Sequence, residues 1–467
     1  MRTLIALSLL SAPALAQGDF TLLGPGLFAN SVSADGSSIT GDNGVEYFLW
    51  TDAGGLQFIG GAPPQNNGGQ ATIDWDATTV SGTYIDPGTG LGQSGRYDIA
   101  TGQWTPLGGI GGQSGSSIGS GWGISGDGST SVGLGWINAG DAHATSWTAG
   151  TGMVDLGSTV PDRSSRANAC DFDGNVVGGW QDATTGFRQG AIWVDGVQQI
   201  VTNNGSSMGE VACVSGDGRW AGGLGVSANN REAYLYSDAT GVINLGHLAP
   251  TNSGGTSGVS ADGKTAVGFD RPFGPALFGQ GFIWQPDTGM SDLNTVANFL
   301  GIDTQGVTMS LPLGVSPDGR TIVGAGRQGF ATVGWRLRLP EADCGVVLFG
   351  FGGSNANELV LVGDGSGSIG TNVDLTVTNA FGDVALLAVS GGAADAPLGD
   401  VLLRIDANLF SGLFTMVPGT GGAVFSTPLP NDTGLVGAEV FAQAFAFEPA
   451  QAEQLAASNG LKLKICN

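Results

Sequence analysis

The stretch "GVSPDGRTIVG", Gly314–Gly324, recurs along the chain with few changes. The related copies are "SVSADGSSITG" from Ser31, "GISGDGSTSVG" from Gly123, "ACDFDGNVVG" from Ala169, "CVSGDGRWAGG" from Cys213 and "GVSADGKTAVG" from Gly258. A degenerate copy, "TIDWDATTVSG", starts at Thr72. The aligned acids are Asp35, Asp76, Asp127, Asp173, Asp217, Asp262 and Asp318, spaced by 41, 51, 46, 44, 45 and 56 residues. A period of about 40–50 residues is that of propeller blades.

The aligned columns have physical meaning. Three residues before each acid lies Val32, Ile73, Ile124, Cys170, Val214, Val259 or Val315, and two before lies Ser or Asp. Apolar and small polar residues alternate into the turn, as on a strand. Asp-Gly then supplies the positive φ of a tight connection. A second strand follows, ending on Gly in every copy. Read this way, Asp318 and its counterparts bend the chain and need not do chemistry.

A second marker follows 15 to 22 residues after each acid: Trp50, Tyr97, Trp147, Trp193, Tyr236, Trp284 and Trp335. Most of these end a third strand such as "EYFLW" or "QGFIW", and a turn and a fourth strand such as "TAGTGMVDLG" follow. Four short strands make a propeller blade, whose faces only neighbouring blades can cover. The aromatics are expected to pack between blades. After Trp335 no fourth strand follows, whereas residues 18–24, "GDFTLLG", read like one. The amino terminus is therefore expected to supply the outer strand of the last blade, leaving no open edge. The expected fold is all-β: a seven-bladed β-propeller over residues 17–340, closed by an N-terminal strand, then a small C-terminal β-sandwich over 341–467.

The leader "MRTLIALSLLSAPALAQG" has one Arg, an apolar run and an Ala14-Leu15-Ala16 cleavage pattern. It reads as a signal peptide over residues 1–16. No later apolar run is long enough to span a membrane, so a secreted, cell-surface or periplasmic protein with no transmembrane span is expected. Gly accounts for 85 of 467 residues without a collagen period, which suits a turn-rich β fold. Only 16 Lys and Arg stand against 40 acids, a net charge of −24, so nucleic acid is excluded as a partner. Such a surface favours cations or basic partners.

"HATSW…GMVDLG", "GVSADGKTAVG" and above all residues 289–335 resemble the extracellular HAF-repeat family of bacterial proteins. Only one copy keeps the His-Ala lead, as His143-Ala144 followed by Thr145. The resemblance covers roughly 19–340 and implies propeller-type repeats without implying an activity. The "SPDG" element also resembles periplasmic propellers that bind protein partners.

Beyond Pro340 the period stops. Alternating stretches such as "VDLTVTN" and "EVFAQAFAFE" read as a β-sandwich. This part resembles an accessory domain at the carboxyl end of some secreted bacterial proteins. It holds 13 acidic and 3 basic residues. Cys344 and Cys466 sit at its two ends and are expected to form a disulfide after export. Cys170 and Cys213 lie in different columns of adjacent blades, so a second disulfide and two buried thiols both stay open.

No catalytic, cofactor-binding or metal-binding residue is assigned. The two histidines, His143 and His247, are too few and too far apart for a His-based triad or metal centre. "DFDGNVVGGWQD", Asp171–Asp182, has some oxygens of a calcium loop but lacks Gly at position 6 and Glu at position 12. Loops at 61–75, 108–121, 248–257 and 269–281 are candidates to shape a pocket, and "RPFGPALFGQ" mixes Arg271 with Phe273 and Phe278. The expected function is a non-enzymatic binding scaffold for an extracellular glycan, an envelope component or a protein. The rivals are a polysaccharide hydrolase or lyase with carboxylates at the channel mouth, and a structural surface protein. Arg219 and Arg320, where other copies carry Ser, Asn or Lys, mark where specificity would reside.

Overall fold

The computed structural model describes residues 18–340, apart from 67, 273 and 287, together with most strands between 345 and 465. The leader 1–16, Cys344 and Cys466 lie outside the described residues.

Among the described residues the repeats form seven four-stranded antiparallel sheets. Six are built from consecutive strands, within residues 28–60, 72–108, 119–157, 165–200, 211–244 and 253–292. The seventh combines Val307–Val315, Thr321–Gln328 and Ala331–Arg338 with the first strand of the chain, Asp19–Pro25. In that pairing Phe20 lies opposite Leu337 and Leu22 opposite Trp335. The first strand of each sheet touches the first strands of its neighbours, and Phe28–Val32 touches both Thr72–Ile73 and Val307–Val315. This is β-propeller architecture, with the first strands innermost.

The small residues four before each acid explain how the inner strands approach. A Cβ on Gly123 would lie 2.8 Å from the Asn168 carbonyl oxygen, and one on Gly314 would lie 2.8 Å from that of Asn30. In six of the sheets a bulge interrupts the inner pairing, and it releases Asn30, Trp122, Asn168, Ala212, Ser257 and Leu313 from the ladder. A bulge re-aims a side chain, and here these residues line the axis.

Between sheets the cores are apolar. Trp335 and Leu337 of the seventh sheet pack with Val267 and Ile283 of the sixth, and Trp193 of the fourth packs with Val132 and Ala144 of the third. A short helix, Leu293–Phe299, sits between the sixth and seventh sheets and is capped by Asp292, whose carboxylate accepts from the Thr295 amide.

The carboxyl-terminal strands form a five-stranded sheet (345–349, 455–464, 439–447, 385–390, 410–416), a three-stranded sheet (360–364, 372–378, 423–428) and a hairpin. Leu361, Val373, Leu375 and Val377 of one sheet share a core with Leu387, Ala442, Ala444 and Leu461 of the other. Two sheets facing one apolar core make a sandwich.

Candidate functional site

Each of the seven turns, five of them Ser-x-Asp-Gly and the others Asp-Trp-Asp-Ala and Asp-Phe-Asp-Gly, joins the first strand of a sheet to its second, so all seven lie at one end of the axial channel. Ser33, Ser125, Ser215 and Ser260 donate to Asp35, Asp127, Asp217 and Asp262 at 2.6–2.8 Å, and Ser316 donates likewise to Asp318. The same carboxylates accept the amide two residues on, from Ser37, Ser129, Arg219, Lys264 and Arg320 at 2.9–3.0 Å. Partial burial opposes ionisation of Asp35, Asp127 and Asp262, yet these hydrogen bonds outweigh it and hold the carboxyls below their usual value. The acids stabilise the turns.

The glycines after them have φ between 69 and 78°, where L side chains are strained. They also abut the preceding sheet: a Cβ on Gly319 would lie 2.6 Å from the Thr265 hydroxyl. In the degenerate copy Ala77 takes the glycine's place with φ 55°, and Asp74 replaces serine, accepting from the Thr78 and Thr79 amides.

The calcium-like stretch dissolves into the same geometry. Asp171 accepts from the Val176 amide and Asp173 from that of Asn175, while Asp182 stands at the far end of the intervening strand. Burial, with the Asp173 charge adding to it against the Val176 hydrogen bond, raises the Asp171 carboxyl to about 6. Among the described residues no three His, Cys, Asp or Glu side chains gather as a metal site.

Between the inner strands runs an axial cavity of about 160 Å³. Of the residues between Ser or Asp and the acid of each turn, Ala34, Trp75, Gly126, Phe172, Gly216, Ala261 and Pro317, the cavity meets Trp75, Gly126, Gly216, Ala261 and Pro317 at the turn end. Backbone hydrogen bonds link these turns sheet to sheet, from Ala34 to Trp75, Trp75 to Gly126, Asp127 to Phe172, Phe172 to Gly216, Asp217 to Ala261 and Ala261 to Pro317. Pro317 has no amide hydrogen to pass on to Ala34.

Near the other end stands a paired cationic cluster. Arg166 lies 3.7 Å over the Trp122 ring and ion-pairs with Glu210 at 2.6 Å, while Arg188 lies 4.1 Å over Trp180 and reaches Glu210 at 2.8 Å. Asn168 also donates to Glu210 at 2.8 Å. Glu210 is thus committed to three partners.

The larger opening is a groove of about 350 Å³ between the fourth and fifth sheets. Val176, Ile192 and Val194 form one wall, and Trp220, Ala221 and Tyr236 belong to the other. Gln199, Arg219, Asp238 and Thr240 supply polar groups. Tyr236 occupies the aromatic column, where Trp193 and Trp335 are fully buried, and is itself part-exposed. It donates to Asp238 at 2.8 Å, and burial together with that acid pushes its hydroxyl up to about 12.

Both histidines are engaged. His143 lies 2.9 Å from Asp155, and His247 lies 2.8 Å from the buried Asp270. Cys170 and Cys213 are free, buried cysteines in the structure. They belong to separate apolar clusters, one with Trp193 and the other with Phe282. Burial raises both thiols, Cys213 to about 12, and at Cys170 the charges of Asp171, Asp127 and Asp173 add to the rise.

The expected pocket loops contribute unevenly. Segments 61–75 and 248–257 give Gln70, Thr72, Ile73, Trp75 and Ser257 to the axial cavity, while 108–121 and 269–281 line neither opening. Phe278 stays exposed, with Arg327 5.3 Å from its ring. Arg219 borders the groove; Arg320 lies instead beside Leu339. Sequence reasoning missed the bulged column five before each acid. Its signal was its variability, Asn, Ala, Trp, Asn, Ala, Ser and Leu, between columns that stay nearly constant.

No family model and no curated protein sequence matches the chain. Among solved structures it is similar to TolB from Acinetobacter baumannii, at 15% identity over 58% of this chain and TM-score 0.36. The match spans 62% of that TolB's length. It is also similar to an oligogalacturonate lyase in complex with manganese (14%, 70% of this chain and 94% of that one, TM-score 0.42). A third is the β-propeller domain of the Trilobed protease from Pyrococcus furiosus (12%, 68% and 94%, TM-score 0.43). At these values the likenesses carry no functional argument.

Proposed function

We propose that the chain is an exported, non-enzymatic binding scaffold whose ligand site is the groove between the fourth and fifth sheets. Residues 17–340 form a seven-bladed propeller closed by the N-terminal strand, and 341–467 form a separate sandwich domain. Closure is supported by the pairing of Asp19–Pro25 with Ala331–Arg338 and by the contact of the first inner strand with the last. A repeat family with this architecture, the HAF-repeat proteins, remains the assignment we favour.

The observation that carries the functional reading is the groove. Its volume of about 350 Å³ falls within the range of ligand clefts, roughly 300–1,000 Å³. Mostly apolar walls with Tyr236 and a few polar groups at Gln199, Arg219 and Asp238 suit a sugar ring or an amphipathic envelope component. Glu210 and the turn carboxylates other than Asp76 are meanwhile engaged in the structural bonds described above.

The test is a glycan-array screen of the full chain, with a depolymerisation assay on the same polysaccharides. The proposal expects binding without turnover, and weakening of that binding when Tyr236→Trp fills the groove. Turnover abolished by one carboxylate substitution would establish the hydrolase or lyase reading instead.

A further inference from the structure

The turn end of the axis carries a surface that the groove does not use. Of the seven residues that border it, five are Ala, Gly or Pro, and only Trp75 and Phe172 are large. Their ring centroids are 4.8 Å apart with planes tilted by 51°. The glycines make room for them. A Cβ on Gly126 would meet both rings at 2.6–2.8 Å, and one on Gly216 would strike the far edge of the Trp75 indole. The indole of the second sheet thus reaches the fifth, across the end of the channel. A segment arriving here lies over the axis and does not thread it.

Phe172 remains 43% exposed and Trp75 part-exposed. An aromatic pair left in water at a concave centre offers a face to a partner, and the surrounding charge says which kind. Asp76, Asp127 and Asp173, on the turns of the second, third and fourth sheets, are exposed and form no ion pair among the described residues. Across the axis, Arg219 offsets Asp217 at 2.9 Å and Lys264 offsets Asp262 at 3.4 Å. Asp35 and Asp318 are likewise exposed and form no ion pair among the described residues, and Asp127 feels the Arg96 guanidinium that donates to the Gly128 carbonyl; the acids thus ring the axis, and three of them stand on the turns that carry or flank the two aromatics. The chain as a whole has a net charge of −24.

We propose that this axial surface docks a basic, extended segment of a partner protein, with an Arg or Lys side chain of that segment seated on the Trp75–Phe172 pair. The ring faces attract a cation directly, and the turn carboxylates of the second to fourth sheets flank the backbone that carries it. The net negative charge steers such a segment from a distance and makes its capture salt-dependent.

The test uses a fluorescein-labelled octapeptide of alternating Arg and Gly, with an alternating Glu and Gly peptide as control, read by anisotropy against the full chain. The Arg peptide is expected to bind, and the Glu peptide is not. Binding should weaken about tenfold in Trp75→Ala and in Phe172→Ala. It should weaken similarly in the Asp76→Asn/Asp173→Asn double variant, and remain unchanged in Asp374→Asn, an exposed acid of the sandwich. Phe172→Ala, at the more exposed ring, keeps the test usable if Trp75→Ala does not fold. Equal binding by a folded Phe172→Ala variant, equal loss in Asp374→Asn, or no binding of the Arg peptide would overturn the proposal. Binding at the groove, followed separately with Tyr236→Trp, is independent of each of these results.

Discussion

Arg336, in the third strand of the seventh sheet, donates from Nη1 to Asp52 of the first sheet at 2.8 Å. The same nitrogen reaches the Gly36 carbonyl at 3.1 Å, and Nη2 donates to Thr21 of the N-terminal strand at 2.9 Å. The guanidinium also lies 4.8 Å from the centre of the Trp50 ring. One side chain, only 6% exposed, holds the first sheet, the last sheet and the amino-terminal strand together. Arg336→Met is expected to destabilise the protein by about 2–4 kcal/mol, since it leaves several acceptors without their donor. Asp52→Asn, at a half-exposed carboxylate, should cost no more than about 1 kcal/mol. Urea denaturation of the two variants measures the difference.

The turns make an opposite pair of predictions. Ala77 sits at φ 55°, so Ala77→Gly should stabilise by about 1 kcal/mol. Gly319→Ala should destabilise by at least about 1 kcal/mol, because φ is 76° and the new methyl meets Thr265. A stabilising Gly319→Ala in the same denaturation series would contradict the reading of the turns.

His247 gives a pH dependence. Its Nδ1 faces the Asp270 carboxylate at 2.8 Å and its Nε2 faces the Asn230 carbonyl at 3.0 Å. Both partners only accept, so the pocket favours the doubly protonated ring, in which both nitrogens donate. Burial disfavours that cation, but the two hydrogen bonds and the nearby Asp270 and Glu232 charges outweigh it and raise the His247 value above the ordinary one. The raised value makes the stabilisation complete below the unfolded value of about 6.5, and it is lost as pH rises through the folded value. Stability measured from pH 6 to pH 9 should fall in the wild type, and His247→Gln should flatten that decline.

The cysteines give a count. Cys170 and Cys213 are buried thiols, whereas Gly345, next to Cys344, pairs with Lys464, two residues before Cys466. We expect Cys344 and Cys466 to be joined. Thiol titration in denaturant without reductant should then find two thiols, and four would remove the disulfide.

Much of this fold was legible because backbone geometry writes itself into repeats. Asp-Gly at each turn reports a positive φ, and the small residue four before each acid reports the approach of the next inner strand. The openings were less legible. The groove lies where Tyr236 and Trp220 of the fifth sheet face Val176, Ile192 and Val194 of the fourth, a packing across two sheets that no local pattern records. The bulged residues were hidden because a bulge breaks the period-two alternation by which strands are read. Trp75 looked like damage to a repeat, and its position over Gly126 and Gly216 emerges only when distant turns meet at one axis.

The amino-terminal strand pairs with Ala331–Arg338, and its Phe20 and Leu22 pack against the core around Trp335 that joins the last two sheets. The most direct test is the thermal midpoint of the chain from Gln17 onward, with and without residues 17–25. Removal should expose the Ala331–Arg338 edge and lower the midpoint by about 5 °C or more. An unchanged midpoint would contradict a ring closed by that strand.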